Sequence, residues 1–484
     1  MTNTATAEDR RLARERRRII GAVVVGTTVE WYDFFVYATM AGLVLAPLFF
    51  EPATQGNEGF ATILSFLTVG ISFLFRPLGA FLAGHFGDKI GRKPMLVITL
   101  LLMGVATFAI GLLPTYNGTE GDWFGGIGLA APIALLFLRI LQGISAGGEW
   151  GGAVLMATEH SPTKTRGRMG MFPQLGVPFG MLLASGMIAA VTAITGDQFA
   201  VWGWRIPFLF SVVLVVVGFI VRHSVEESPV YKEIEARQQQ ASAPIATLFR
   251  KHGLSVILLA ALFIGNNAAG YMTTGGYMQN YATKTLGMDV TFVMLAVLGA
   301  AAMWALFTYI SGFITDKIGR KKSFFLGYSL QLITVWVLFA MANTGEPAML
   351  LIGLLIFAIP LGLTYGPIAV WFVESFPASV RFSGVSIGYA LGAILGGAFA
   401  PTIATWLMQT FNNVYAISTY LFIATIISLI AAALLKDRTG IPLTHAFEET
   451  GKFDTWKPGD PTKEEYEALG STVTDANFVA TQRG

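Results

Sequence analysis

In this chain of 484 residues, 54% of the side chains are hydrophobic, 13% are charged and the formal net charge is +2. Soluble domains carry about twice that share of charge, so an ordinary water-soluble fold is excluded. The absence of cysteine removes disulfides, thiolate metal sites and a cysteine nucleophile.

Residues 1–19 form a basic N-tail with six arginines between Arg10 and Arg18 and no small-residue cleavage site, which argues against a cleaved signal peptide. Apolar stretches follow at 20–46, 60–86, 93–114, 129–157, 167–195 and 203–222. A polar link covers 223–251, and six further stretches lie at 253–282, 290–315, 322–343, 347–374, 381–410 and 414–436. A membrane helix needs about 20 mostly apolar residues, and these runs are too long and too rarely alternating for strands. The expectation is an all-α membrane protein of twelve transmembrane helices, in bundles at 20–222 and 252–436. The tail, 437–484, is polar, shows no heptad pattern and reads as mostly disordered.

Lys and Arg gather in every second connection: Arg10 to Arg18, Lys89 to Lys93, Lys164 to Arg168, Arg222 to Lys251, Lys317 to Lys322, Arg381 and Lys436. The intervening loops carry only Lys284, with Arg205 just inside the sixth span. By the positive-inside rule both termini face the cytoplasm of a cell-membrane protein.

The two halves also share a word. Gly87-Asp88-Lys89-Ile90-Gly91-Arg92-Lys93 returns 228 positions later as Thr315-Asp316-Lys317-Ile318-Gly319-Arg320-Lys321. A long repeat at matching places marks a duplicated architecture, and duplicated halves around a central path suit a secondary transporter.

Ionisable side chains inside a span are costly and by default mark a pathway. In the first span Glu30, Asp33 and Tyr37 share one helical face. A buried carboxylate can exchange a proton near neutral pH, which makes Asp33 or Glu30 a candidate proton carrier. The alternative is a carboxylate at the membrane interface beside Trp31 and Tyr32. In the fourth span Arg139, Gln142, Ala146 and Glu149 form a stripe among Gly143, Gly147, Gly148, Gly151 and Gly152. The glycines read as packing contacts. Arg139 can hold a carboxylate bidentately, either a substrate's or Asp33 itself. Arg76 either neutralises Asp33 or Glu149, or snorkels outward. The second half offers neutral groups, among them Asn266, Asn267, Tyr271, Tyr365 and Tyr389. With Arg139, Tyr37, Gln142 and Gln174, these make up the candidate substrate contacts. The bland reading of most is interhelical hydrogen bonding.

The pattern Gly-x-x-x-Asp-x-x-Gly-Arg-Lys, from Gly84 to Lys93 and again from Gly312 to Lys321, resembles the loop signature of the major facilitator superfamily. Glu30-Trp31-Tyr32-Asp33-Phe34, Phe75-Arg76-Pro77-Leu78-Gly79, Arg139-Ile140-Leu141-Gln142-Gly143, Gly147-Gly148-Glu149-Trp150-Gly151-Gly152, Glu226-Glu227-Ser228-Pro229 and Glu374-Ser375-Phe376-Pro377 are similar to its metabolite:proton symporter branch. That branch includes shikimate, α-ketoglutarate and proline/betaine permeases. Phe172-Pro173-Gln174-Leu175-Gly176 resembles less-studied permeases of the branch. The resemblance implies the major facilitator fold, two pseudo-symmetric six-helix bundles with the substrate site between them. It implies uptake of a small polar metabolite driven by a proton gradient, without cofactor, metal, nucleic acid or obligate protein partner. It implies that Asp88, Arg92, Asp316 and Arg320 are gate residues, with Asp88 pinning the inside closed against the neighbouring half; an obvious target for that carboxylate is the positive end of the helix starting near Ser379.

An intramembrane Arg beside a neutralisable acid favours an organic acid as substrate. A zwitterion such as proline or betaine is the alternative, and a non-transporting sensor is a further one. A hydrolase is suggested only by Gly143-Ile144-Ser145-Ala146-Gly147, which lies mid-helix, while every histidine maps to the cytoplasmic side or the tail.

Overall fold

A computed structural model describes residues 2–82, 92–119, 125–147, 149–159, 161–223, 244–274, 276–443, 447–448 and 451–460. Twelve helices correspond to the twelve expected spans. In the first bundle they are α1 (Ile20–Phe50), α2 (Glu58–Leu82), α3 (Val97–Leu112), α4 (Ala130–Glu159), α5 (Thr163–Phe199) and α6 (Arg205–Ile220). In the second they are α7 (Thr247–Gly270), α8 (Val290–Ile318), α9 (Arg320–Ala342), α10 (Pro347–Glu374), α11 (Ala378–Phe411) and α12 (Tyr415–Leu434). The backbone is already helical from Thr2.

Local chemistry sets several ends. Asn57 and Asp289 cap α2 and α8, each accepting from the N–H three residues on, at 3.0 and 2.8 Å. The stretch expected to run unbroken over 253–282 is interrupted instead. Gly276 takes φ +85° before a short turn at Tyr277–Asn280, a conformation that glycine adopts without steric cost. This break brings Gly276 against the Ala38 backbone of α1, where a Cβ would overlap the carbonyl.

Within the first bundle α1 packs on α5 and α3 on α6, and within the second α7 packs on α12 and α8 on α10. The two bundles meet where α5 lies along α8 and α2 along α11. The outward faces are apolar, as at Val105, Ile133, Ile257 and Ile333, each more than 60% exposed. Lipid solvates such a surface and water does not, so this is a multi-pass membrane protein.

The glycines of α4 do what packing requires. A Cβ on Gly143 or Gly147 would overlap the backbone of Ser72 or Arg76 in α2. Gly152, by contrast, faces open space.

The described segments of the tail, 437–443, 447–448 and 451–460, are docked. Ile441, Phe447, Phe453 and Trp456 form a buried cluster beneath the second bundle, and Arg438 lies over the Phe453 ring at 4.4 Å. Four apolar side chains spaced along a polar segment suffice to dock it, a pattern with no helical or strand period to announce it. Residues 224–243 of the link and 461–484 of the tail lie outside the described residues.

Candidate functional site

Between the two bundles lies a small pocket bordered by Arg76, Gly147, Trp150 and Gly151 on one side and by Ser386 and Tyr389 on the other. Arg76 is 5% exposed, held over the Phe73 ring at 4.1 Å and near Trp31 at 5.5 Å. It points inward and does not snorkel. Tyr389, on α11, faces Arg76, Tyr365 and Glu30.

Aromatic rings build the remaining wall. Trp150 stacks on Tyr389 with centroids 3.7 Å apart and planes 12° from parallel. Phe263 stacks on the same Tyr389 at 4.8 Å, and Tyr365 meets Trp304 edge-on at 5.3 Å. Gln174 ties the two bundles together here. Its side chain accepts from Trp150 Nε1 at 2.8 Å and donates to the Tyr365 carbonyl at 3.1 Å.

Behind the pocket, inside the first bundle, runs a polar chain. Arg139 Nη1 donates to Gln142 Oε1 at 2.7 Å, Gln142 Nε2 donates to Thr107 Oγ1 at 2.7 Å, and Thr107 donates to Asp33 Oδ2 at 2.9 Å. Asp33 is fully buried, and its Oδ1 has no hydrogen-bond donor among the described residues. Glu30 is close enough to interact electrostatically with both Asp33 and Tyr389.

The acids that share a helical face in the sequence are buried, but Asp33 and Arg139 do not pair directly. Arg139 and Asp33 are joined through Gln142 and Thr107. Arg139 also donates to Ser72 Oγ at 2.8 Å and to the carbonyls of Thr68 and Val69, and it lies 3.9 Å over the Tyr37 ring. Tyr37 itself pairs with Thr68 at 2.5 Å. Trp31 and Tyr32 are interior, not interfacial, with Tyr32 donating to the Pro207 carbonyl at 2.8 Å. Glu149 is buried in α4 beside Trp150.

In the second bundle, Asn266 donates to the Leu361 carbonyl at 3.0 Å and to Thr364 Oγ1 at 2.6 Å. Asn267 Nδ2 is buried without an acceptor among the described residues. The Tyr271 side chain lies outside the described residues. Ser145, the hydrolase-like serine, donates to the Thr99 carbonyl within the helix packing.

The basic end of the molecule carries a second constellation. Glu374 is fully buried and accepts from Arg166 Nη1 at 2.9 Å and from Arg320 Nε and Nη2 at 3.0 and 3.2 Å. Asp316 accepts from Arg320 Nη1 at 3.2 Å. It also receives the backbone N–H groups of Gly167 and Arg168, at 2.8 and 3.1 Å, capping α5 of the other bundle. Carboxylates are favoured at that helix end. Arg381 pairs with Glu159 across the interface at 3.2 Å.

Sequence reasoning identified Asp316 and Arg320 here and missed Glu159, Arg166, Glu374 and Arg381 as a set. The signal was present. Glu159-x-x-Pro162-x-x-x-Arg166 recurs as Glu374-x-x-Pro377-x-x-x-Arg381, 215 positions on, and each Glu pairs with the other copy's Arg. Asp88 lies outside the described residues, as does the Arg92 side chain. The seat expected for Asp88 is taken by the tail, since Glu448 accepts from the Ser379 N–H at 2.9 Å and from its hydroxyl.

Comparison with known proteins follows this division. Residues 19–254 match the Sugar (and other) transporter family, and residues 267–476 match the Major Facilitator Superfamily. The inner membrane metabolite transport protein YhjE of Escherichia coli K12 is 37% identical over 430 residues, covering 87% of this chain and 94% of that one. The shikimate transporter of the same strain is 34% identical, covering 88% and 95%. Its proline/betaine transporter is 30% identical, covering 89% and 85%. Among solved structures, the proton:xylose symporter XylE bound to 6-bromo-6-deoxy-D-glucose superimposes with a TM-score of 0.73 at 20% identity, covering 92% of this chain and all of that one.

Proposed function

The chain belongs to the major facilitator superfamily, among its metabolite transporters, and on that premise we propose that it couples inward proton movement to uptake of a small organic acid. The carrying observation is Arg76, a buried cation at the bundle interface that faces Tyr389 of the opposite bundle. A guanidinium so placed can take a carboxylate bidentately. The end rich in Lys and Arg is the cytoplasmic one.

In this reading Asp33 holds the transported proton on the oxygen that has no other donor, and Glu30 relays between Asp33 and the pocket. Protonation of the acids withdraws negative charge from the neighbourhood of Arg76 and frees it for the substrate. Proton and carboxylate enter as an electrically neutral pair, so loading both leaves the net charge of the interface unchanged, and the bundles then rock about it. Arg139, anchored on Gln142 and Ser72, holds the polar chain in register. Asp316, Arg320 and Glu374, with Arg166, keep the cytoplasmic side shut until then.

A zwitterion is the second reading, favoured by the rings of Trp150, Tyr389 and Phe263, since aromatic faces attract cations. Uptake into proteoliposomes under an inside-alkaline gradient separates the two. Shikimate, α-ketoglutarate, citrate, short monocarboxylates, proline and glycine betaine form the panel. Accumulation of an acid, abolished by a protonophore, is the expected result. Accumulation of proline or betaine alone supports the second reading, and flux that ignores the gradient overturns proton coupling.

A further inference from the structure

We infer that the substrate is an acid built on a flat, unsaturated ring, received between Trp150 and Tyr389 with its carboxylate on Arg76. The inference rests on the organic-acid reading above and narrows it. A run of nearly parallel rings crosses the bundle interface here. Trp150 of α4 lies on Tyr389 of α11 with centroids 3.7 Å apart and planes 12° from parallel. Phe263 of α7 stacks on the same Tyr389 at 4.8 Å and 24°. Of these two contacts only the first joins the two bundles, so the run opens there when they part.

The Trp150 plane is held in place. Its Nε1 donates to Gln174 at 2.8 Å, and Phe372 meets the indole edge-on at 6.0 Å. The neighbouring Gly151 lets α11 come close enough for the stack, since a Cβ there would overlap Ser386 Oγ. Polar atoms at the same place are left over. Arg76 Nε and Ser386 Oγ belong to residues bordering the pocket, and both are buried without a hydrogen-bond partner among the described residues. Such atoms are costly unless a ligand completes them at some stage of the cycle. A guanidinium suits a carboxylate, and a serine hydroxyl suits a hydroxyl carried on the ring.

Stacking arithmetic selects the guest. Carbon atoms touch at about 3.5–4.0 Å, so a third ring enters only when Trp150 and Tyr389 part to about twice that distance. One ring contact is lost, and a flat guest makes two. A saturated ring of the same size is puckered, and its axial hydrogens hold it off both faces. A cationic guest would gain from the ring faces but would meet Arg76 as a like charge.

The test compares acids that differ only in flatness, by equilibrium dialysis against the purified full chain. The probes are 3,4-dihydroxybenzoate, its saturated counterpart 3,4-dihydroxycyclohexanecarboxylate, the acyclic glycerate, and glycine betaine. The flat ring should bind about tenfold tighter than the saturated one, the scale of two aromatic contacts. Trp150→Leu should cut that preference to about threefold, leaving one face, while Trp150→Phe should keep it near tenfold. Equal binding of the flat and saturated rings overturns the slot, with or without a folded variant. So does an undiminished preference in Trp150→Leu, or glycine betaine binding that depends on Trp150. Equal binding of all three acids leaves the organic-acid reading standing. Binding of none, together with no acid accumulated in the uptake panel, overturns both.

Discussion

The basic end of the bundle interface and the polar residues deeper in the molecule follow opposite rules. At the basic end the halves mirror each other, with Glu159 to Arg381 answering Arg166 to Glu374. Deeper in they do not: the first bundle buries Glu30, Asp33, Arg76, Arg139 and Glu149, while the second buries Asn267, Tyr365 and Tyr389. Rocking two bundles about a shared axis requires interactions that both can make and release, and duplication preserves those. Selecting one substrate and one proton requires different chemistry on each wall. In the proposed mechanism, symmetry marks the gate and its loss marks the cargo.

The sharpest break falls on the asymmetric side. Asp33→Asn should abolish accumulation driven by a pH gradient while substrate exchange across the membrane persists, because the amide cannot deliver the proton. Counterflow measured beside gradient-driven uptake reads both quantities at once. Retained accumulation would sink the assignment of Asp33. Next in size is Arg76→Ala, which removes the cation from the pocket. A charge-assisted hydrogen bond is worth about 1.5–3 kcal/mol, so affinity for an acid should fall by about 10- to 100-fold. Arg76→Lys keeps the charge but loses the planar fork, and should recover only part of it. If Arg139→Lys carries the larger affinity loss and Arg76→Lys none, the anion contact lies in the first bundle's interior after all.

Most of the fold was legible because the bilayer leaves so few options. Twelve apolar runs and a biased placement of Lys and Arg admit little but helices in two bundles. The candidate site was half legible. Spacing on one helix puts Glu30, Asp33 and Tyr37 on a common face, but it cannot say that Thr107 and Gln142 intervene between Asp33 and Arg139. That is fixed by α3, whose relevant residue is an unremarkable threonine. Arg76 was open between roles because nothing in α2 records that Tyr389 faces it. The gate partners were readable in principle from the repeated Glu-x-x-Pro-x-x-x-Arg, which the longer and basic heptapeptide overshadowed. The docked tail had no period to read.

On the symmetric side, Glu374 and Glu159 occupy equivalent positions with unequal loads. Glu374 is fully buried and serves Arg166 and Arg320, whereas the Glu159 side chain is 11% exposed and serves Arg381. Removing one partner of a buried ion pair costs about 3–5 kcal/mol. Glu374→Gln should therefore slow turnover by tenfold or more through loss of the inside-closed state, by the scale of that penalty. Glu159→Gln should slow it less, and neither should alter the ranking of substrates. Competition assays on both variants check this, and a change of substrate preference would mean that the gate also reads cargo.

The smallest effects come from two adjacent residues that chemistry separates. Asn266 spends its amide donors on Leu361 and Thr364 within the second bundle. Asn267 keeps a buried donor without an acceptor among the described residues. An unsatisfied buried donor is costly unless something fills the vacancy at some stage of the cycle. The substrate or its water is the natural candidate in a protein whose interface opens. Asn267→Ala should raise KM by about fivefold, the value of one hydrogen bond, with thermal stability kept. Asn266→Ala should leave KM alone and lower stability by about 1 kcal/mol. Initial-rate kinetics and a melting curve on each variant decide it, and the opposite pattern would exchange their roles, making Asn266 the substrate contact and Asn267 the structural residue.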